Sequence, residues 1–535
     1  MMSWAIRYRE KRMHRALGYY VFLLMLLFCV CLLGATGECG DLFSVEYLAS
    51  EGRPLAVLPA DLDGTGPSEI IVVSRTGVYP HEKRWISIFG AENWDLFSPI
   101  QRQRWEIDSR ASMFEVGDVA PSPGAEIFFL TQNGIRYYAQ KTDGSFNTDA
   151  KVLLTMPTAA FFPSASHLPR MGLLADWQGL DRPSLLVPQF ALSVLLSRND
   201  TGKWQEIQTL DMPPMAFHYS NHEDDGISRT YSLRMDYRLP LPVSEDFDGD
   251  ERSDLMFTEN ESIFVYLQRP SGLFTLHPAG RIVLPVRPEE PESSSDLSIL
   301  MTPVEMNGDG FTDVMAVLSR GTGKFMERKI ELHLFYNQKM TASPFASEPD
   351  QKLALHGITP GAILKDINGD GRKDLLMSYI KLGFWNTVRS LVARRTIVET
   401  AVFLMNDADR YPADPNFRLK TKYKLDLAGG VRFHGIWPNL DGDFTGDGSA
   451  DLLVARDGSI TVYSADEGNS LFSTSHTQSG LATYPFKHIM DLNRDGRDDI
   501  LLYEKKHGGK ICVLVNTGDW SGKMSSNNES PPPKR

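Results

Sequence analysis

A short acidic motif recurs along the chain and limits the folds that the sequence can adopt. Its clearest copy, DINGDGRKDLLM, places Asp366, Asn368 and Asp370 at alternate positions, turns at Gly371 and reaches Asp374 before an apolar run. Copies of the motif begin at residues 61, 118, 176, 246, 305, 366, 443 and 491, with spacings of 48 to 77 residues. A recurrence on this scale is typical of a repeat protein.

The polar positions of the motif indicate a calcium loop. Ca²⁺ takes six to eight oxygen ligands, and alternate side chains of a tight loop can supply them. A glycine at position 6 lets the backbone turn so that the carbonyl of position 7 faces the ion, and an acid at position 9 closes the loop. Position 12 is Met377, whereas an EF-hand requires a bidentate glutamate there and a helix on each side. The flanking apolar runs have strand length, so the loop is predicted to join two buried strands.

Six copies keep oxygen ligands at positions 1, 3, 5 and 9, and they predict about six Ca²⁺ sites. The predicted ligands are Asp61, Asp63, Thr65, Glu69, Asp246, Asp248, Asp250, Asp254, Glu305, Asn307, Asp309, Asp313, Asp366, Asn368, Asp370, Asp374, Asp443, Thr445, Asp447, Asp451, Asp491, Asn493, Asp495 and Asp499. The second copy keeps only Asp118 and Glu126, and the third keeps Asp176 and Ser184. Glu251 replaces the turn glycine of the fourth copy. The second and third copies are therefore left out of the predicted sites.

The segments between the motifs predict three or four short strands each. Examples are EIIVVS and RWISIFG after the first motif and KICVLVN after the last. Eight such repeats predict an all-β, eight-bladed β-propeller, with a seven-bladed ring as the alternative. The last repeat ends after its third strand near Asn516, and an unassigned strand at residues 42–49 precedes the first motif. We expect residues 42–49 to pair with residues 510–516 and close the ring.

The loops resemble the FG-GAP or VCBS repeats of the β-propeller in integrin α-subunit heads and in many bacterial secreted proteins. The resemblance covers residues 42–516 and rests on the six well-preserved copies. It implies that Ca²⁺ lies between the first two strands of a blade and makes the loop rigid. It also implies that Asp366, Asn368, Asp370 and Asp374, with their counterparts in the other loops, bind the ion.

The N-terminus predicts export. Residues 1–17 are basic, residues 17–34 form an uncharged apolar segment, and Ala35-Thr36-Gly37 has the small residues of a cleavage site. The apolar segment is also just long enough to span a bilayer, so a retained anchor is the alternative to a cleaved signal peptide. The propeller is then periplasmic, extracellular or membrane-anchored outside the cytoplasm. The predicted divisions are a signal peptide or membrane anchor at 1–37, the propeller at 38–516 and a flexible tail at 517–535.

Cysteine usage agrees with export, because only Cys39 and Cys512 lie outside the apolar segment. Cys39 precedes the predicted closing strand, and Cys512 lies in the strand with which it should pair. A disulfide between them would fasten the ring. Counting the antiparallel register from the strand ends places Cys39 several residues beyond Cys512, which favours two unpaired thiols.

Two insertions between the repeats are candidate binding elements. HYSNHEDDG, which contains His218 and His222, offers imidazole and carboxylate groups that suit Zn²⁺, but we expect a solvated loop. KLGFWNTVRSLVARR predicts a short amphipathic helix at 383–395. Its apolar positions are Phe384, Val388, Leu391 and Val392, and its basic positions are Lys381, Arg389, Arg394 and Arg395. We expect the apolar side to pack on the propeller, and the alternative is docking to a partner or to an anionic membrane surface.

The charge and the motifs narrow the function. The formal net charge is −13, which argues against a nucleic-acid partner and fits a chain that binds cations in its loops. The sequence has no nucleophile elbow, zinc-protease helix, phosphate loop or dinucleotide fingerprint. We therefore expect an exported, non-catalytic binding or scaffold protein for a protein or glycan ligand. The alternative is a Ca²⁺-dependent enzyme acting on polysaccharide, because some rhamnogalacturonan lyases have similar eight-bladed calcium propellers.

Overall fold

The computed structural model describes residues 41–519 with short gaps. The gaps are at 79–80, 94–95, 122–123, 161–162, 164–166, 225–228, 240–241, 260, 287–296, 322–327, 340–343, 382–383, 427–431, 434, 466–470 and 507. The described chain is nearly all β structure, and its strands form eight antiparallel blades arranged in a ring. The prediction of an eight-bladed β-propeller is confirmed, and the seven-bladed alternative is wrong.

The first strand, β1 (Phe43–Leu48), belongs to the last blade, and the numbering then follows the blades in order. Blade one contains β2 (Arg53–Ala60), β3 (Glu69–Thr76), β4 (Lys83–Phe89) and β7 (Gln103–Glu106), with a small hairpin of β5 (Ala91–Asn93) and β6 (Leu96–Phe97). Blade two contains β8 (Met113–Gly117), β9 (Glu126–Thr131), β10 (Gly134–Tyr138) and β11 (Lys151–Thr155). Blade three contains β12 (Leu174–Ala175), β13 (Ser184–Pro188), β14 (Ser193–Arg198) and β15 (Trp204–Leu210). A two-stranded sheet of β16 (Met215–Asp224) and β17 (Arg229–Arg238) follows.

The remaining blades have the same plan. Blade four contains β18 (Val243–Glu245), β19 (Asp254–Glu259), β20 (Ser262–Tyr266) and β21 (Gly280–Val283). Blade five contains β22 (Leu297–Val304), β23 (Asp313–Gly321), β24 (Arg328–Phe335) and β25 (Gln351–His356). Blade six contains β26 (Ala362–Lys365), β27 (Asp374–Tyr379), the helix α1 (Phe384–Ala393), β28 (Arg395–Phe403), β29 (Phe417–Asp426) and β30 (Arg432–Phe433). Blade seven contains β31 (Gly435–Gly442), β32 (Asp451–Arg456), β33 (Ser459–Tyr463) and β34 (Ser475–Ser479), and blade eight contains β35 (Phe486–Met490), β36 (Asp499–Tyr503) and β37 (Ile511–Asn516).

The second strand of a blade is the most deeply buried. Every residue of β9, β13, β27 and β36 is buried. The neighbouring blades cover both faces of these strands, so their sequences are apolar without polar alternation. The first strands β26 and β35 contain no fully buried residue, which is consistent with their position at one edge of the sheet.

The core is divided among the junctions between blades. Each pair of neighbouring blades shares one cluster of buried apolar side chains among the described residues. The cluster between blades eight and one contains Leu501 and Val513 from blade eight and Val57 and Val72 from blade one. Because this cluster joins the end of the chain to its beginning, packing continues around the whole ring.

The N-terminal strand completes the ring as predicted. β1 pairs antiparallel with β37, from Phe43 opposite Asn516 to Leu48 opposite Ile511. Blade eight therefore has the order β1, β37, β36, β35. Cys512 is buried and lies opposite Tyr47. Cys39 lies outside the described residues, as does the predicted signal or anchor at 1–37, so the disulfide and the N-terminal segment stay predictions.

The predicted solvated loop at HYSNHEDDG is wrong where the structure describes it. Residues 218–224 lie in β16, which pairs with β17 along its full length. The sequence of both segments explains the hairpin, because large apolar residues alternate with polar ones, as in Tyr231, Leu233, Met235 and Tyr237. The loop prediction rested on the acidic and histidine-rich composition of the segment and did not take this alternation into account.

The helix of blade six forms as predicted, but its predicted packing is wrong. Val388, Leu391 and Val392 are exposed, and Val392 is 81% exposed. The adjacent outward face of β28 carries Arg395, Ile397 and Glu399, and Ile397 is itself 46% exposed, so the helix does not cover this face. No helix among the residues that the structure describes is long and apolar enough to cross a membrane.

Candidate metal centres in the blade loops

Every copy of the motif lies between the first and second strands of its blade. In blade six, Asp366 directly follows β26, and Asp374 is the first residue of β27. The same placement holds in the other seven blades. Because the blades share one topology, the eight loops lie on one face of the ring.

The residue at position 1 shapes the turn. The Asp366 carboxylate accepts hydrogen bonds from the amides of Gly369 (2.8 Å) and Gly371 (2.9 Å). In blade seven, Asp443 accepts equivalent bonds from Gly446 and Gly448, both at 2.7 Å. The acidic side chain therefore organises the loop backbone as well as supplying oxygen atoms.

Two positions of the turn have left-handed backbone. Gly369 and Gly371, at positions 4 and 6, have φ values of 73° and 84°. Glu251 adopts φ 64° at position 6 of blade four, so that loop keeps the turn without glycine. A left-handed conformation costs a residue with a Cβ atom about 1–2 kcal/mol. The replacement of glycine by Glu251 in blade four therefore keeps the loop geometry and lowers the stability of the loop.

The acid at position 9 connects the loop to the backbone at or just beyond the end of the third strand of its blade. Asp374 is fully buried, and its two oxygens accept hydrogen bonds from the amides of Ile367 (3.0 Å) and Met405 (2.9 Å). The same pair of bonds is made by Asp254, Asp313, Asp451 and Asp499. The spacing of the motif did not predict this role, because Met405 lies 31 residues away in sequence. A carboxylate has further lone pairs, so the anchoring is compatible with metal binding.

Burial makes the negative charge of these acids costly. It raises the pKa of Asp254, Asp374 and Asp451 to about 6, and that of Asp313 and Asp499 to about 7. Backbone hydrogen bonds lower each pKa in part, while the other acids of each loop raise it further. A divalent cation among these oxygens would offset the cost of burying them.

Blade four gives the clearest test of whether the residues fit a cation. The carboxylate oxygens of Asp246, Asp248 and Asp254 lie within 4.8 Å of one another. Asp248 Oδ1 is buried and has no hydrogen-bond partner. A buried carboxylate oxygen without a partner is unfavourable, and a hard cation is the group that this donor set would bind. The residues of blade four therefore fit Ca²⁺.

Blade one has the same three acidic positions but a different surrounding charge. Oxygens of Asp61, Asp63 and Glu69 also lie within 4.8 Å of one another. The Arg102 guanidinium lies 3.0 Å from Glu69 and 3.8 Å from Asp63, and Arg494 of blade eight lies 2.9 Å from Asp61. These arginines offset part of the acidic charge, so we expect the loop of blade one to bind Ca²⁺ more weakly than that of blade four.

Arginine also accompanies the acid at position 5. Arg372 at position 7 pairs with Asp370 at 3.0 Å, and Arg497 pairs with Asp495 at 2.6 Å. Arg252 pairs with Asp250 in the same way. The arginine at position 7 recurs in the sequence, so this pairing could have been predicted from the aligned motifs.

The loops connect neighbouring blades through the backbone. In blade six, the Lys373 amide at position 8 donates to the Met306 carbonyl of blade five at 2.8 Å. The Ser68 amide of blade one likewise donates to the Leu492 carbonyl of blade eight at 2.9 Å. The same contact, from position 8 to position 1 or 2 of the preceding loop, occurs for Ala125 with Leu62, Thr312 with Asp246 and Asp498 with Asp443. On the face of the ring that carries the loops, which we call the loop face, these backbone hydrogen bonds therefore connect neighbouring blades.

The two degenerate loops keep the framework and lose the oxygens. Glu126 of blade two accepts hydrogen bonds from the amides of Val119 and Ala120, both at 2.9 Å, as a position 9 acid does elsewhere. Asp118 instead pairs with Arg198 at 2.7 Å. Asp176 of blade three accepts bonds from the amides that follow it in its own turn. These loops can form without the acids at positions 3 and 5 that a cation would need.

The family comparison matches one part of this architecture. Residues 443–502 match the family model described as the FG-GAP-like repeat. The matched segment runs from the loop of blade seven through the loop of blade eight. This segment is similar to an FG-GAP-like repeat. No curated protein sequence matches the chain significantly.

Solved structures with similar folds are distant in sequence. A lectin from Agrocybe aegerita, reported for specific recognition of non-reducing terminal N-acetylglucosamine, is 12% identical, with 89% of this chain and 99% of the lectin chain covered and a TM-score of 0.37. A protein from Lactobacillus plantarum is 10% identical, with 80% of this chain and 98% of that chain covered and a TM-score of 0.29. Scores this low do not support an argument about function.

A single-residue change in blade four tests metal binding by a blade loop of this chain. Asp248→Ala removes an acid whose Oδ1 atom has no hydrogen-bond partner, so we expect the calcium content to fall by about one ion per chain. The thermal midpoint in EDTA should not fall, because that oxygen has no hydrogen bond to lose and the metal-free loop carries one negative charge fewer. Calcium analysis and thermal melts of the purified variant check both expectations.

The matched control is Asp118→Ala in the degenerate loop of blade two. It removes an acid from the same motif position as Asp246, but from a loop in which we expect no ion. Its calcium content should equal that of the unmodified protein. Loss of one ion from both variants, or from neither, would contradict the assignment of the site to blade four.

Proposed function

We propose that the protein is an exported, non-catalytic binding or scaffold propeller whose blades are joined through Ca²⁺-binding loops. The proposal rests on the hydrogen bonds that link the motif residues to the neighbouring strands and blades. The amide at position 8 bonds to the preceding blade, and the carboxylate at position 9 bonds to the backbone just beyond the third strand of its own blade. Acidic residues with these partners support a structural role for the metal.

The donor chemistry supports calcium as that metal. The loops offer carboxylate, amide and hydroxyl oxygens, which hard cations prefer, and the predicted sites contain neither histidine nor cysteine. A bound ion would hold the loop rigid and thereby hold the two blades that the loop joins. In this proposal calcium stabilises the junctions between blades. It thereby also stabilises any binding surface that neighbouring blades share.

The propeller with its FG-GAP-like repeat supports a binding or scaffold role. The motif residues form contacts between blades. We therefore place the ligand-binding surface outside the loops. Propellers and other repeat folds offer broad surfaces of this kind. We propose a protein or glycan as the ligand class, in line with the exported location that the N-terminal sequence predicts.

The experiment is an array of glycans and extracellular proteins probed in Ca²⁺, then in EDTA, and then after Ca²⁺ is restored. We expect one ligand class to be retained in Ca²⁺, released in EDTA as the junctions between blades loosen, and retained again when Ca²⁺ is restored. Mass spectrometry of any retained polysaccharide should show chains of unchanged length. Shortened chains would contradict the non-catalytic proposal and support the lyase alternative.

A further inference from the structure

Blade six carries an exposed surface that combines cations with apolar side chains. We name it the blade-six basic surface, and it consists of α1 with the outward faces of β28 and β29. Its cations, all exposed, are Arg389, Arg394, Arg395, Arg418, Lys420, Lys422 and Lys424. Its exposed apolar residues are Val388, Leu391, Val392 and Ile397.

The strand pairing places these residues side by side. Arg395 lies opposite Lys424, Ile397 opposite Lys422, and Glu399 opposite Lys420. Alternate residues of a strand point to the same face, so each of these pairs lies on the outward face. Thr396, Val398 and Tyr423, between them, are buried on the other face. The lysines of β29 therefore form a row along one exposed face.

The helix adjoins the end of that row. The Leu425 amide of β29 donates a hydrogen bond to the Arg394 carbonyl, at 2.9 Å, just beyond the end of α1. This bond fixes Arg394 and Arg395 beside Lys424. The exposed side chains of Leu391 and Val392 thus lie next to cations rather than alone on the surface.

The surface is positive on a chain that is acidic overall. The formal net charge of the protein is −13. Glu399 pairs with Lys420 at 3.6 Å and with Lys381 at 2.8 Å. Within the part of the chain that the structure describes, no ion pair reaches Arg389, Arg395, Lys422 or Lys424. A ligand for this surface must therefore supply negative charge.

We propose that the blade-six basic surface docks onto an anionic membrane surface. A short helix with exposed apolar residues and cations beside it is typical of segments that lie at a membrane interface, where the apolar side chains enter the headgroup region. Lysines beside such a helix are attracted to anionic lipids, and the attraction extends over the length of the row. This proposal is separate from calcium binding and from the ligand of the propeller.

The form of the surface favours a membrane over an acidic protein. The cations of β29 lie at every second residue of the strand, about 7 Å apart along it, and three of the four, Lys420, Lys422 and Lys424, are flexible lysines. They suit a layer of mobile headgroups, whereas recognition of a shaped acidic ligand favours the rigid fork of arginine within a pocket. The protruding Val392, 81% exposed, also suits insertion into a fluid interface.

The test is sedimentation with vesicles at constant Ca²⁺, using the chain from residue 38 onward, which contains every strand of the closed ring. We expect binding to vesicles of equal parts phosphatidylcholine and phosphatidylglycerol, weakening as NaCl is raised, and no binding to phosphatidylcholine alone. The combined change Lys420→Gln, Lys422→Gln and Lys424→Gln should weaken binding by roughly tenfold or more. Leu391→Ser with Val392→Ser should also weaken vesicle binding, because it removes apolar side chains that would enter the headgroup region. Both side chains are exposed, so the change should not affect folding.

The matched control replaces three exposed lysines elsewhere, Lys151, Lys203 and Lys510, by glutamine. It removes the same charge and should bind vesicles as the unmodified protein does. Equal loss in the control, or equal binding by all variants, would overturn the assignment to blade six. Retention on immobilised polyglutamate without binding to anionic vesicles would overturn the membrane proposal in favour of an acidic protein partner.

Discussion

Removal of Ca²⁺ by EDTA is expected to lower the thermal midpoint of the protein by roughly 10 °C or more. A ligand that binds only the native form stabilises it by about 2.7 kcal/mol per site at a concentration one hundred times the dissociation constant. Six such sites would contribute about 16 kcal/mol. For a ring of nearly 500 residues the entropy of unfolding is on the order of 1 kcal/mol per kelvin, which converts that stabilisation to about 15 °C.

The structure indicates where the loss of stability would begin. The acids at position 9 are buried, with pKa values raised by burial, and the loops that contain them bond to the preceding blade. Without a cation, the negative charges of each loop repel one another next to that joint. We therefore expect the junctions on the loop face to loosen before the second strands of the blades.

The melt has two controls. Ca²⁺ added in excess of EDTA should restore the midpoint, whereas the same concentration of Mg²⁺ should restore little, because Mg²⁺ demands a smaller octahedral site and gives up its water reluctantly. The Asp118→Ala variant, changed in a degenerate loop, should respond to EDTA as the unmodified protein does. An identical midpoint in Ca²⁺ and in EDTA would contradict structural calcium.

Truncation of Phe43 is expected to destabilise the protein by about 3–5 kcal/mol, although this residue lies near the start of the described chain. Phe43 is fully buried, and its ring packs edge-on against Phe444 at 6.1 Å. Its backbone amide and carbonyl both bond to the side chain of Gln478 in blade seven, at 2.7 and 3.0 Å. Phe43→Ala therefore weakens the strand that joins blade eight to the rest of the ring.

Hydrogen exchange locates the effect. Phe43→Ala, or deletion of residues 38–50, should reduce protection in residues 499–516, which contain β37, the partner of β1, and β36 next to it, and should change blades two to four little. Tyr47→Ala in the same strand is the matched control, because Tyr47 is 46% exposed, and its effect should be much smaller. Equal protection of 499–516 in all variants would mean that β1 does not hold the ring closed.

The overall fold could be predicted because the motif spacing counts the blades directly. Each motif fixes the end of one strand and the start of the next, and the strand left over at 42–49 has a partner only at the other end of the chain. The structure confirms both. The strands within the blades could be predicted from apolar sequences such as EIIVVS, which are buried on both faces.

The further roles of the motif could not be predicted from its spacing, because they depend on residues far away in sequence. Met405 donates to Asp374 across the blade, and Arg102 lies beside Glu69 from the end of the same blade. Neither partner is part of a motif. The exposure of Val392 likewise depends on what the neighbouring strand presents, since an apolar stripe on a helix is the same whether it is covered or exposed.

The calcium content of the purified protein tests the central claim most directly. The protein is dialysed against a buffer with Ca²⁺ and excess Mg²⁺, freed of unbound ions, and analysed by mass spectrometry of its metals. The account predicts about six Ca²⁺ ions per chain, one for each loop that keeps the four oxygen positions. A protein that is folded, with native melting behaviour, and holds no calcium would contradict it and would leave the loops as turns that join the blades without metal.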